Sequence, residues 1–317
     1  ILADSLSQIR YGESHPNIVS SYNYFLNFNN ITPDLVIRIG QKPVSKILCE
    51  KLNQWGDRTI LIDECGRFND DCSLVLSEKI ETAVQFIKTK STPSESIWRD
   101  EIISFDSQIM ESITEKHLDN WFEGAIAKVC FDSLNGGDSF FIGNSMPIRD
   151  VDMFVPVSAK NIHTYSNRGA SGIDGIVSSA LGVASKSEGN TLLLIGDLSF
   201  YHDMNGLLAS SRYNMNLTIV IVNNSGGGIF SFLPISEEKE KPFDEFWSTS
   251  HDLDFSHVAK LYNCNYEKAD SIQSLNKALS DYKDSTGINI IEAITDIDEN
   301  IIQHRAVTAG LANFKQT

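Results

Sequence analysis

Short, nearly unbroken apolar runs recur along the chain, each closed by glycine or a polar residue. They are DLVIRIG (34–40), TILIDE (59–64), FFIG (140–143), TLLLIG (191–196), LTIVIVNN (217–224) and INIIEAIT (288–295). Runs of this length without polar alternation predict strands covered on both faces. Between the first two, Val44, Ile47, Leu48, Leu52 and Trp55 fall on one helical face. Leu118, Trp121, Phe122, Ala125, Ile126, Val129 and Cys130 predict a helix before FFIG, and Ile173, Ile176, Val177, Ala180, Leu181 and Ala184 a glycine-bounded helix before TLLLIG. A further helix is expected around 203–213 and a long acidic loop over 235–254. Strand and helix in alternation is βαβ grammar, which predicts parallel sheets. Polar and turn-forming residues gather in KTKSTPSES (88–96) and predict a linker. The expected fold is therefore α/β with two doubly wound parallel-sheet domains, 1–92 and 93–317.

Composition narrows the class. With 317 residues, 41% hydrophobic and 21% charged, the chain is long enough for one large or two ordinary globular domains. Its formal charge of -16, from 42 acidic against 26 basic residues and with no basic patch, disfavours nucleic acid and anionic membranes as partners. Cys49, Cys65, Cys72, Cys130 and Cys264 are scattered, odd in number and without a CxxC pair, which speaks against a disulfide framework or a zinc site and for reducing cytoplasm. No apolar stretch approaches the roughly 18 residues a membrane span needs, and the start is not a signal peptide. The chain opens on Ile1 rather than methionine, as a piece of a longer protein would.

The chemistry concentrates in two strand ends. In a doubly wound sheet ligands sit beyond the carboxyl ends of the strands, where Asp197 and the Asn223, Asn224 pair fall. Carboxylate and amide oxygens together suit a hard divalent cation such as Mg²⁺ that also holds a phosphate-bearing partner. The glycines at 226–228 would let backbone approach the ligand, set a carbonyl near the metal and turn N–H groups toward phosphate. Either dipeptide alone reads as an ordinary turn. Their combination, with a full helix between and Asn224 27 positions after Asp197, matches the thiamine diphosphate motif that begins Gly-Asp and ends Asn-Asn.

Five blocks extend the match: IGQKPVSK (39–46), GNSMPIRD (143–150), YSNRGASGIDG (165–175), GDLSFYHDMNGL (196–207) and NNSGGGIFSFLP (223–234). On these the chain resembles thiamine diphosphate enzymes over essentially its whole length, in the branch of the 2-succinyl-5-enolpyruvyl-6-hydroxy-3-cyclohexene-1-carboxylate (SEPHCHC) synthases of menaquinone biosynthesis. Many members of the superfamily carry Gly-Asp-Gly where Leu198 follows Asp197 here. The resemblance implies thiamine diphosphate with Mg²⁺ or Mn²⁺, held by Asp197, Asn224 and the Gly226 carbonyl. It places Leu198, Ser199, Gly227, Gly228 and Ile229 around the cofactor. Ile173 would prop it in a bent shape, although periodicity equally makes Ile173 the first apolar position of a helix.

The reaction implied is decarboxylation of 2-oxoglutarate and addition of the succinyl unit to isochorismate. Both substrates carry two carboxylates, for which Arg149 and Arg168 are the expected clamps, with Ser145 a hydrogen-bond donor and Lys46 a contribution from the other domain. Taken singly, each of these cations reads as a solvated surface charge. Ile229, Phe230 and Leu233 would wall the reacting centre. The acidic stretch 236–251 reads as a solvated charge run rather than a lid. The family's activating glutamate resides in a separate amino-terminal domain not found here. The first domain then reads as a partial central, transhydrogenase-like domain, and the isolated chain is expected to bind cofactor weakly without catalysing. The complete protein is expected to be a homodimer or homotetramer. An acetolactate-synthase-like carboligase, a 2-oxo acid decarboxylase and a noncatalytic module of the same fold remain as alternatives. No GxSxG, HExxH or GxGxxG motif is present, and the seven histidines show no ligand spacing.

Overall fold

The computed structural model describes residues 1–12, 15–29, 31–68, 71–90, 95–237 and 242–311. The first part runs α1 (Tyr22–Phe28), β1 (Val36–Ile39), α2 (Lys46–Gln54), β2 (Thr59–Ile62), β3 (Leu74–Leu76) and α3 (Ile80–Lys90). Then follow α4 (Ile97–Lys116), α5 (Glu123–Ser133), β4 (Ser139–Ile142), α6 (Met146–Phe154), β5 (His163–Tyr165), α7 (Ile176–Ala184), β6 (Thr191–Gly196) and α8 (Asp197–Asp203). The chain continues through β7 (Leu217–Asn223), α9 (Ser256–Tyr262), β8 (Asn265–Ala269), α10 (Ile272–Tyr282), β9 (Ile288–Ile294) and α11 (Ile297–Gly310). β1, β2 and β3 form a parallel sheet in that order, and the six later strands a second sheet in the order β5-β4-β6-β7-β9-β8, also parallel throughout.

All six apolar runs are strands. The three strands that were not expected, β3, β5 and β8, lie at sheet edges. An edge strand is covered less fully, so it is polar, as in HTY and NYEKA, or too short to stand out, as in the three-residue LVL of β3. Along β6, Leu192 and Leu194 join the core under α5, α6 and α10, whereas Leu193 and Ile195 join the core under α7, α8 and α9. That alternation, repeated along β7, is why these strands are apolar throughout.

Several boundaries differ from expectation. The helix expected from Leu118 begins at Glu123, and Leu118 and Phe122 are buried in the turn before it. α4 was not anticipated, because only Ile109, Met110 and Ile113 are buried along its 20 residues. The helix placed at 203–213 starts instead at Asp197, directly on the end of β6, and passes into a 3₁₀ turn over Met204–Ala209. Of the expected linker, residues 88–90 belong to α3, while 91–94 and with them the 92/93 boundary lie outside the described residues. The acidic loop is interrupted by a 3₁₀ turn at Pro234–Glu237 and a π-helix at Asp244–Ser248, with 238–241 outside the described residues.

A third core joins α1, α2, α4, α5 and α11 through Tyr22, Phe25, Leu48, Leu52, Ile109, Phe122, Phe154 and Val307. The chain's first residues lie against α6 as well. Fully buried Arg10 donates from Nη1 to Asp152 Oδ1 (3.0 Å) and from Nη2 to the Asp152 and Val155 carbonyls (2.8 and 2.5 Å). Asp152 also accepts from Ser5 N, Tyr22 Oη and Asn23 Nδ2 (3.1, 2.7 and 2.8 Å). Among the described residues no helix is long and apolar enough to cross a membrane.

Candidate cofactor and metal site

The order β5-β4-β6 puts a topological switch at the β4/β6 boundary, because the chain leaves β4 toward opposite sides for its next two strands. Asp197 follows β6 at once as the first residue of α8. Its Oδ1 accepts from Leu198 N (2.6 Å) and its Oδ2 from Gly226 N (2.9 Å), with His251 Nε2 3.2 Å from Oδ2. The ends of β6 and β7 thus meet at one carboxylate. Burial raises the Asp197 carboxyl above the usual carboxylate range, against the pull of these donors.

The two asparagines divide the work. Asn223 is structural: its Nδ2 donates to buried Glu292 (2.6 Å) and its Oδ1 accepts from Ser225 N (2.9 Å), closing the turn. Asn224 donates from Nδ2 to Glu123 Oε1 (2.7 Å), and its Oδ1 is buried without a partner. The glycines are dictated by close approach. A Cβ at Gly226 would lie 2.6 Å from the Ser248 carbonyl, and one at Gly228 2.7 Å from Asn224 Nδ2. The N–H groups of Gly227 and Gly228 donate within the chain, to Ser248 O and Gly226 O. The loop therefore does not turn those two donors outward for phosphate as anticipated.

A hard cation fits these groups. They comprise one carboxylate, an amide oxygen lacking any donor, and loop carbonyls, all oxygen. An orphaned buried acceptor is costly unless something such as a cation satisfies it. Among the described residues no cluster of three or more His, Cys, Asp or Glu side chains offers a metal site.

Behind Asn224 is a buried polar cluster. Glu123, at the first position of α5, donates its backbone N–H to Asn300 Oδ1 (3.1 Å). Burial, with the charge of Asp150 next, pushes its carboxyl up to about 7. Asp150 Oδ1 lies 2.8 Å from His304 Nε2, and the rings of Phe122, Phe154 and Phe232 pack around that imidazole at 5.5, 5.2 and 5.3 Å. Burial alone would lower His304, but the charge and hydrogen bond of Asp150 hold it above 6.5. A raised histidine stabilises fully below its unfolded value and loses that contribution as pH rises through the folded one. His304→Gln is accordingly expected to cost about 2 kcal/mol in acid solution and progressively less in alkali. Urea denaturation on both sides of pH 6.5 measures this, and a pH-independent loss would contradict it.

The arginines converge beyond β4 and β5. Arg149 lies inside α6 and donates to the Ser145 carbonyl (2.5 Å). Burial and then the like charge of Arg168 lower it. Arg168 donates to Asn144 Oδ1 (2.8 Å), and Asn144 Nδ2 reaches the carbonyls of Asn167 and Gly172 (2.8 and 2.6 Å). Buried Asn144 thereby holds the loop that carries Ile173. Ser145 has φ +73° and ψ -127°, a strained backbone for a residue with a side chain.

Other expected residues fall as follows. Ile173 is half-buried in the loop three residues before α7, so it is not a helical core position. Leu198 and Ser199 occupy the first turn of α8. Ile229 and Phe230 are half-buried, Phe230 stacking edge-on against Trp247 at 5.5 Å, while Leu233 is 40% exposed. Lys46 is not brought to the cluster: it begins α2, exposed, 3.9 Å from Glu50. A polar cleft of about 840 Å³ opens beside Asn224, lined among others by Ser225, Ser248, Thr295 and Arg305, and neither Arg149 nor Arg168 lines it. Three site residues escaped the sequence reading. Asn144 lay within a recognised block, Glu123 beside Phe122 resembled the polar edge of a core helix, and His251 gave no local signal.

Residues 154–293 match the family described as thiamine pyrophosphate enzyme, C-terminal TPP binding domain. Among the most similar curated relatives are proteins named 2-succinyl-5-enolpyruvyl-6-hydroxy-3-cyclohexene-1-carboxylate synthase. That of Listeria welshimeri is 41% identical over 98% of this chain and 56% of its own length. That of Bacillus cytotoxicus is 36% identical over 98% of this chain and 54% of its own length. The chain resembles the C-terminal portion of these synthases. It spans about half the length of the curated relatives it matches. Asp197, Asn224, Gly226 and Arg168 fall inside the matched thiamine pyrophosphate-binding segment, whereas Glu123 and Arg149 precede it.

Proposed function

We propose that this chain is the diphosphate- and metal-binding half of a SEPHCHC synthase of menaquinone biosynthesis, which decarboxylates 2-oxoglutarate and transfers the succinyl unit to isochorismate. The observation that carries the reading is the Asp197 carboxylate joined to Gly226 N, two residues past Asn224, whose buried side-chain oxygen lacks any donor. Asp197, Asn224 and the Gly226 carbonyl would hold Mg²⁺ or Mn²⁺. Leu198 and Ser199 would flank the diphosphate, Gly227 and Gly228 would shape the loop beside it with their N–H groups bonded within the chain, and Ile173 would support the cofactor from its tethered loop. When bound, thiamine diphosphate supplies the carbon nucleophile and electron sink for decarboxylating a 2-oxo acid.

Arg149 and Arg168 bind the substrate carboxylates in this scheme, and their mutual proximity is what a dicarboxylate would relieve. Ser145 donates to the same substrate, and Ile229, Phe230 and Leu233 exclude water from the reacting carbon. Residues 93–317 form the cofactor domain in this scheme and residues 1–92 a partial central domain, whose exposed Lys46 takes no part in the cluster. The activating glutamate comes from a further domain, so the isolated chain binds cofactor weakly and does not turn over. The complete protein works as a homodimer or homotetramer in the cytoplasm, whose reducing conditions suit five free cysteines.

Arg168→Met is expected to lower kcat/KM for 2-oxoglutarate in the intact protein by about 30-fold, the loss of one charge-assisted contact of about 2 kcal/mol. Pyruvate, which lacks the second carboxylate, tests the alternative. Equal use of pyruvate and 2-oxoglutarate would favour the acetolactate-synthase-like or simple decarboxylase reading, and turnover by the isolated chain would refute its dependence on another domain.

A further inference from the structure

We infer that Glu123 is a positioning residue for the metal site, which orients the Asn224 amide so that its oxygen, rather than its nitrogen, faces the cation. The inference rests on the reading of Asn224 as a ligand and adds a residue outside the matched cofactor-binding segment.

A side-chain amide is symmetric in shape and opposite in chemistry at its two ends, so something must decide which end faces inward. Glu123 is 3% exposed and offers Oε1 at 2.7 Å to one end. An ionised carboxylate only accepts, so while Glu123 is ionised that end is Nδ2, as the 2.7 Å Nδ2-to-Oε1 hydrogen bond has it, and the other is Oδ1. The oxygen left over is the buried atom without a partner. Only glycine at 228 leaves the amide this place, since a Cβ there would stand 2.7 Å from Nδ2.

Glu123 is itself held in place. Its backbone N–H is taken by Asn300 Oδ1 at 3.1 Å, and Thr295 Oγ1 lies 3.4 Å from Oε1. Thr295 N in turn donates to the carbonyl of Asn223 at 2.9 Å, the residue before the proposed ligand. The ends of β7 and β9 and the start of α5 are thereby tied around one amide. Partners of this kind behind a ligand commonly govern affinity as much as the ligands do.

The test uses Mn²⁺ with thiamine diphosphate on the intact protein, following bound Mn²⁺ by electron paramagnetic resonance. Glu123→Met removes the acceptor at similar volume and is expected to weaken Mn²⁺ binding by about 10- to 100-fold. Glu123→Asp keeps the charge at a helix start, where aspartate is well tolerated, yet withdraws the acceptor by one methylene, and should lose a comparable part. Glu123→Gln retains an accepting oxygen and should bind nearly as the parent does. In an Asn224→Ala background the Glu123→Met change should weaken Mn²⁺ binding no further, which a merely structural role would not produce. Parent-like affinity in both Glu123→Met and Glu123→Asp would overturn the inference alone. Parent-like affinity in Asp197→Ala would overturn the metal site itself, and the inference with it.

Discussion

Replacing Asp197 with alanine is expected to raise the dissociation constant for thiamine diphosphate in the presence of Mg²⁺ by about 100-fold or more, equivalent to ~2.8 kcal/mol. The side chain would contribute the one formal negative charge among the three proposed ligands, and it also joins the two strand ends through Gly226 N. Asp197→Asn should fare little better. Its amide nitrogen would have to face either Leu198 N–H or Gly226 N–H, donor against donor. Without cofactor, the alanine variant should melt close to the parent temperature, because lost hydrogen bonds are offset by no longer burying a carboxylate. Titration calorimetry with and without Mg²⁺ separates the two effects. Undiminished Mg²⁺-dependent binding in the variant would remove the basis of the proposed function.

Arg10→Ala should destabilise the protein by about 3–5 kcal/mol, the range seen when one partner of a buried ion pair is removed. Arg10 is 0% and Asp152 1% exposed, so the carboxylate left behind would have no water to turn to. The Arg10 head group also satisfies the Val155 carbonyl and the main chain of Asp152 itself. Removing both charges would not repair the damage. Ser5 N, Tyr22 Oη and Asn23 Nδ2 all donate to Asp152 and would then lack an acceptor. Equilibrium urea unfolding tests the figure, and a loss below about 1 kcal/mol would show that water enters and replaces the guanidinium. Because Asp152 lies on α6 with Arg149, the same variant should also loosen the helix that carries one of the proposed substrate clamps.

The strands were legible because each apolar run reports a local fact, namely that both faces of that segment are covered. The edge strands β5 and β8 and the helix α4 were not, since partial cover leaves a mixed pattern indistinguishable from loop, and the apolar β3 is only three residues long. At the site, the Gly-Asp and Asn-Asn dipeptides marked two strand ends because turn chemistry and ligand chemistry coincide there. Glu123 could not be read as their neighbour: it precedes Asn224 by 101 positions and meets it only when α5 packs beside β7 and β9. His251 reaches Asp197 from within the acidic loop for the same reason.

By itself the amino-acid order determined the parallel α/β class, the places where strands end, and a resemblance to thiamine diphosphate enzymes carried by short contiguous blocks. Tertiary packing decided which of two adjacent asparagines is spent on the turn and which keeps a bare oxygen, which helix backs the loop, and that Arg149 and Arg168 share one neighbourhood while Lys46 faces solvent. The reason is physical. Backbone geometry and side-chain periodicity act over a few residues and are written locally, whereas the orientation of an amide or the proximity of two charges depends on partners that only the folded sheet brings within hydrogen-bonding distance.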